Sequence, residues 1–365
     1  MNDSTANLFN QKTALLEYKK KIDVELKKYF QHKILEYEKI SEFAGMFTKD
    51  LADFTLRGGK RLRSALLYYS YKLFGGIDDK EIIKLSMFVE LIESFLLIHD
   101  DIMDRSSMRR GGITIHKKYE KYSNEQNFQD DIHLGNTMGI LSGDLANQLA
   151  LEIIGKSNFP FEYKNKVIKV VADEISKVCF GQIHDILLNY NFPKNYQEND
   201  IIKVYLYKTS TYTYSLPLFT GAILAGANDE DLKILDEYAV PSGIAFQIRD
   251  DVLGAFGIQQ ETGKDTKGDI IEGKKTLLVT QSYKNGTKEQ KRILDKYLGK
   301  PDLTDSEADE VREIFISTGA LDYSKIECKK HIEKAKDSLK ILSGKNTEAY
   351  KFLEGIADYM IIRKV

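Results

Sequence analysis

Two aspartate pairs, each closing an apolar run, are the residues of this 365-residue chain most suited to chemistry. Asp100-Asp101-Ile102-Met103-Asp104 follows Leu85, Phe88, Val89, Ile92, Phe95 and Leu96, and Asp250-Asp251 follows the stretch from Ile244 to Ile248. Asp100 and Asp104 are one helical turn apart and share a helix face. Like charges at a helix C-terminus repel one another and oppose the helix dipole, so local stability does not favour them. A bound divalent cation reverses that balance, and Mg²⁺ takes carboxylate oxygens of this kind. Basic residues follow each pair: Arg109-Arg110-Gly111-Gly112 after the first, then Lys264 and Lys274 around Asp269 after the second. A third basic cluster runs from Lys60 through Arg61 to Arg63 behind the Gly58-Gly59 turn. Arginine forks and backbone amides grip phosphate oxygens. Carboxylates for metal beside cations for phosphate point to metal-assisted handling of a diphosphate. Asp130-Asp131 lies in a polar stretch and reads as a solvated pair.

The elements that must position these groups read as helices. Only five prolines occur, which leaves long stretches without a strong helix breaker. Apolar periodicity places an amphipathic helical segment over residues 1–50, with Leu15, Tyr18, Ile22, Leu26 and Tyr29 on one face. Further helices are expected from the glycine-bearing turn at residues 57–63 through residue 71, and over residues 79–104, 135–154, 164–189, 200–225 and 229–254, the last with a kink at Pro241. Residues 117–131 and 257–274 are polar and read as loops, and residues 276–365 as more helices. The fold class is therefore all-α, a large helical bundle around a central cavity, in a single domain over residues 1–365. A formal charge of -2 speaks against nucleic acid or an anionic membrane as partner. Cys179 and Cys328 are too few for a disulfide framework or a zinc site, which suits a reducing cytoplasm. The N-terminus lacks a secretion pattern, and no apolar run approaches the ~20 residues of a transmembrane segment. A soluble cytoplasmic protein is expected.

Taken together, these residues resemble the trans-isoprenyl diphosphate synthases, or polyprenyl synthetases. The likeness runs from the Gly58 turn to the C-terminus. It is carried by Gly59-Lys60-Arg61-Leu62-Arg63, Asp100 to Asp104 with Arg109-Arg110, Gly143-Asp144, and Gly181-Gln182 with Asp185. Lys208-Thr209, Phe246-Gln247 with Asp250-Asp251, and Gly273-Lys274 with Thr276 complete it. The resemblance implies an isoprenoid synthase-type fold, a homodimer, and several Mg²⁺ ions per active site, with Mn²⁺ as a substitute. Asp100, Asp104 and Asp250 would bind the metal. Arg109, Lys208, Lys264 and Lys274 would hold the allylic diphosphate, which is dimethylallyl, geranyl or farnesyl diphosphate. Lys60, Arg63 and Arg110 would hold isopentenyl diphosphate. Oxygens near Thr209 and Gln247 would face the allylic cation formed when the C1–O bond breaks. Asp101, Asp251 and Asp269 are assigned no firm role, and His99 reads as a packed histidine.

Two positions depart from the family pattern. Glu93, two helical turns before Asp100, stands where the family often carries His or Gln, and a carboxylate beside a diphosphate is repulsive unless paired. Gly254 ends the second motif where many members have a third Asp. Phe95 lies five residues before Asp100, about 7.5 Å back along the helix axis, where a ring would floor the growing chain. By the resemblance that floor implies geranylgeranyl diphosphate (C20), with a farnesyl (C15) or longer-chain synthase as the alternative. A non-catalytic subunit of a heteromeric prenyl synthase is the alternative of another class. Such subunits tend to lose an aspartate motif, and both are present here.

Overall fold

The computed structural model describes residues 3–190, 195–257 and 267–362. Residues group into two compact units. The first comprises residues 12–168 with 220–226, and the second residues 1–11, 169–219 and 227–365.

The first unit is built on α4 (Asp79–Met103), which packs against α3 (Leu62–Leu73) and α6 (Asp131–Lys156). Asp78 caps α4 by accepting from Glu81 N at 3.0 Å, and acidic Asp79 and Glu81 suit the positive end of the helix dipole. Ile82, Leu85, Phe88, Val89 and Ile92 are buried at helical spacing; each such side chain contributes roughly 1.5–3 kcal/mol. This burial fixes the rotation of α4 and so decides which way its terminal aspartates face. The N-terminal segment, read from sequence as one helical stretch, is two helices, α1 (Asp3–Glu38) and α2 (Glu42–Leu56). Ser41 divides them, its side chain accepting from Ala44 N as the α2 cap.

Of residues 117–131, expected as a loop, 117–125 instead belong to α5 (Ile115–Glu125). Its composition is polar, but Ile115, Tyr119 and Ser123 recur every fourth residue and are buried, and α5 packs on α6. The Asp130-Asp131 pair stands at the solvent-facing start of a helix, with Asp130 exposed. Asp130 is the N-cap of α6, accepting from His133 N, and Asp131 lies in its first turn and accepts from Asn124. Two short strands, β1 (Met108–Arg109) and β2 (Gly112–Ile113), form an antiparallel hairpin between α4 and α5.

The second unit centres on α10 (Asp229–Phe256), which carries Pro241 inside it and begins at the Asn228–Asp231 capping box. It is preceded by α7 (Phe161–Asn189), α8 (Glu198–Val204), a π-helical segment (Tyr205–Ser215) and α9 (Leu216–Leu224). The continuous helix expected over residues 200–225 is thus interrupted by eleven π-helical residues. After α10 come α11 (Gly268–Ile271), α12 (Leu277–Asn285), α13 (Lys288–Tyr297), α14 (Asp305–Ser317), α15 (Ala320–Leu339) and α16 (Thr347–Ile362). α10 packs on the π segment, α15 and α16, with the Tyr238 hydroxyl donating to Leu353 O at 2.7 Å. No helix among the described residues is long and apolar enough to cross a membrane.

Candidate active site

In the first unit the last turn of α4 presents three carboxylates with different surroundings. Asp100 and Asp104 are half-buried, whereas Asp101 is 1% exposed. The Asp101 side chain turns inward to Arg109 of β1, whose Nε donates to Oδ1 at 2.7 Å and whose Nη2 donates to the same oxygen. Burial pushes the Asp101 carboxyl up to about 6 against the pull of Arg109. Arg109 Nη2 also lies 3.8 Å from Asp100 Oδ2. Asp101 therefore orients the arginine, and Asp100 and Asp104 form the carboxylate face of the helix end.

A basic cluster lies along the same unit. Arg61 starts α3 from a left-handed backbone position (φ 56°) and is buried. Its guanidinium donates to Asp23 at 2.8 Å, Glu90 at 2.9 Å and Thr55 O at 3.0 Å. That makes Arg61 a buttress of the turn that carries Lys60. Arg63 Nη1 donates to Glu93 Oε1 at 2.8 Å, and Arg110 Nη2 donates to the same oxygen. Arg110 and Gly111 are the central residues of the two-residue hairpin turn, and both have positive φ, at 51° and 72°. Arg57 ties the end of α2 to this hairpin through Ile113 O at 2.6 Å. Burial opposes ionisation of Glu93, yet Arg110, Arg63 and Arg61 hold its carboxyl below the ordinary range.

Phe95 is half-buried and stacks edge-on against His99, with centroids 5.0 Å apart. His99 Nε2 lies 3.0 Å from Ile140 O and 3.8 Å from Asp144 Oδ1, so it bridges α4 to α6.

The second unit assembles its own polar cluster around α10. Gly181 of α7 lets the π segment come close, since a Cβ there would overlap the Lys208 backbone nitrogen. Lys208 Nζ is held by Asp185 at 2.6 Å. Thr209 Oγ1 donates to Gln247 Oε1 at 2.7 Å, and Gln247 Nε2 donates to Asp251 Oδ1 at 2.7 Å. The other Asp251 oxygen accepts from the Tyr205 hydroxyl, which in turn accepts from Leu277 N at 3.1 Å. Burial pushes Asp251 up to about 7, opposed by Lys274. Asp251 thus locks the amide of Gln247, while Asp250 on the same helix is half-buried. Lys274 Nζ lies 3.9 Å from Asp269, whose charge holds its ammonium well above the usual lysine range. Gly254 also has its explanation here: a side chain at that position would overlap Asp269 Oδ2. The carboxylate missing from α10 is replaced over the same face by one from α11.

Lys264 lies outside the described residues. Tyr205 was not singled out from sequence, because its role depends on a π turn and on a backbone amide more than seventy residues onward.

The chain matches a family model described as polyprenyl synthetase over residues 46–315. It is 32% identical over 309 residues to geranylgeranyl diphosphate synthase of Sulfolobus acidocaldarius, covering 84% of this chain and 88% of that one. Identity to geranylfarnesyl diphosphate synthase of Aeropyrum pernix is 31% over 310 residues, covering 84% and 91%. Among solved structures, geranylgeranyl pyrophosphate synthase from Corynebacterium glutamicum, complexed with isoprenyl diphosphate and magnesium, matches with a TM-score of 0.89. That match has 27% identity and covers 95% of this chain and 99% of the other.

Proposed function

Because the chain belongs to the polyprenyl synthetase family, we propose that it condenses isopentenyl diphosphate head-to-tail with an allylic diphosphate, ending at geranylgeranyl diphosphate. It is a prenyltransferase of that family. One observation carries the reading: the Asp100–Asp104 helix face stands beside Arg109 in a chain 32% identical to a geranylgeranyl diphosphate synthase.

Each unit carries donors that suit Mg²⁺: Asp100 and Asp104 in the first and Asp250 in the second offer hard carboxylate oxygens on half-buried side chains. Mg²⁺ is held through one or two carboxylates together with substrate phosphates and water, so no all-protein cage is needed. When bound it would neutralise charge on the diphosphate leaving group. The chain's own residues do the rest. Arg109, aimed by Asp101, and Lys208 and Lys274, positioned by Asp185 and Asp269, hold the allylic diphosphate. As its C1–O bond breaks, Thr209 and the amide oxygen of Gln247 face the allylic cation, with Asp251 fixing the amide. Lys60, Arg63 and Arg110 hold isopentenyl diphosphate, whose double bond forms the new C–C bond. The proton lost in that step goes to the released pyrophosphate, and no side-chain base is required. The active form proposed is a homodimer, on the family resemblance.

Product length is assigned to Phe95. Removing the ring by Phe95→Ala is expected to move the main product from C20 to C25 or longer, read by sizing the dephosphorylated alcohols of both proteins. If the two distributions coincide, Phe95 is core and the floor lies elsewhere.

A further inference from the structure

We propose that Glu93 sets the affinity for isopentenyl diphosphate: its carboxylate occupies the two arginines that the substrate's diphosphate needs. The inference rests on the function proposed above and concerns one substrate only.

The geometry is specific. Arg63 comes from the first turn of α3 and Arg110 from the β1–β2 hairpin, yet both donate to the single oxygen Oε1 of Glu93. Glu93 is 8% exposed, so this anion is largely shielded from water. The charges acting on it are those of Arg110, Arg63 and Arg61. Arg61 is engaged by Asp23 and Glu90, and Glu90 also accepts from Ser64 Oγ at 2.7 Å. Arg63 and Arg110 are thus the cations whose guanidiniums meet on Glu93.

A guanidinium has five N–H donors, so Glu93 does not close the site. A diphosphate bound by the same arginines nevertheless meets a like charge that is poorly solvated, so repulsion is strong. The carboxylate also holds the cluster together. It offsets repulsion between two guanidiniums and helps retain Arg110 in a left-handed backbone conformation that non-glycine residues rarely adopt. Glu93 is thus an internal stand-in for one phosphate oxygen, keeping the arginines together at the expense of substrate affinity.

Glu93→Gln keeps the shape and an acceptor oxygen while removing the charge. The expected result is a fall in KM for isopentenyl diphosphate of about tenfold, equivalent to ~1.4 kcal/mol. KM for the allylic substrate should stay within about twofold, because that diphosphate does not share these arginines. An unchanged or raised KM for isopentenyl diphosphate overturns the proposal and makes Glu93 a counter-ion the pocket requires. Glu93→Met, of similar length and without charge, is the second variant, and failure of both to fold also counts against the idea. Calorimetric titration of isopentenyl diphosphate into wild type and Glu93→Gln, without allylic substrate, separates this inference from the function itself. Tighter binding by the variant upholds the inference even if condensation is not seen, and equal or weaker binding sinks it even in an active enzyme.

Discussion

Turnover is expected to fall at least roughly 10²–10³-fold in Asp100→Ala, the scale on which removing one group that stabilises transition-state charge acts. The fold should be retained. Asp100 is half-buried at the C-terminal end of α4, where its charge opposes the helix dipole. Removing a carboxylate there relieves repulsion with Asp101 and Asp104, so thermal stability should hold or rise slightly. Loss of activity without loss of stability separates a metal-binding role from a structural one. Steady-state kcat and a melting curve on the same preparation make the test. A near-normal kcat would remove Asp100 from the metal site.

Arg109→Ala is expected to lose both activity and stability, and the two losses have separate cures. Asp101 is 1% exposed and accepts both Arg109 bonds on one oxygen, so deleting the guanidinium strands a buried carboxylate. Breaking a buried pair in this way costs about 3–5 kcal/mol. Adding Asp101→Asn removes the stranded charge and should recover most of the denaturation midpoint. Activity should not return, since the arginine proposed to hold the allylic diphosphate is still missing. If the double variant regains turnover, Arg109 is only a counter-ion for Asp101.

These two experiments depend on features read with different ease from the amino-acid order. The position of Asp100 at a helix end follows from apolar spacing between Leu85 and Ile98, which is strong because α4 buries a whole face. The same holds for Gln247 and Asp250 on α10. The inward turn of Asp101 was not legible: Asp100 and Asp101 are adjacent and chemically identical, and only Arg109 on a hairpin beyond the helix distinguishes them. Glu93 is similar. Its partners come from two elements remote from each other in sequence, so a carboxylate that looked repulsive is paired. Gly254 could be explained only once Asp269 was seen over it. α5 was misread because its exposed face dominates its composition, although Ile115 and Tyr119 carry the helical spacing. The π segment has no comparable signature. Its wide turns depend on close packing at Gly181 and on the hydrogen bonds of Tyr205 and Thr209 across to α10.

The central claim is that this chain joins isopentenyl diphosphate to an allylic diphosphate with the help of a divalent metal. Purified protein would be incubated with Mg²⁺, isopentenyl diphosphate and each of dimethylallyl, geranyl and farnesyl diphosphate, and the dephosphorylated alcohols sized. The account predicts a dominant C20 alcohol that disappears when EDTA is added. No elongated alcohol from any starter, or the same product with EDTA present, would contradict it.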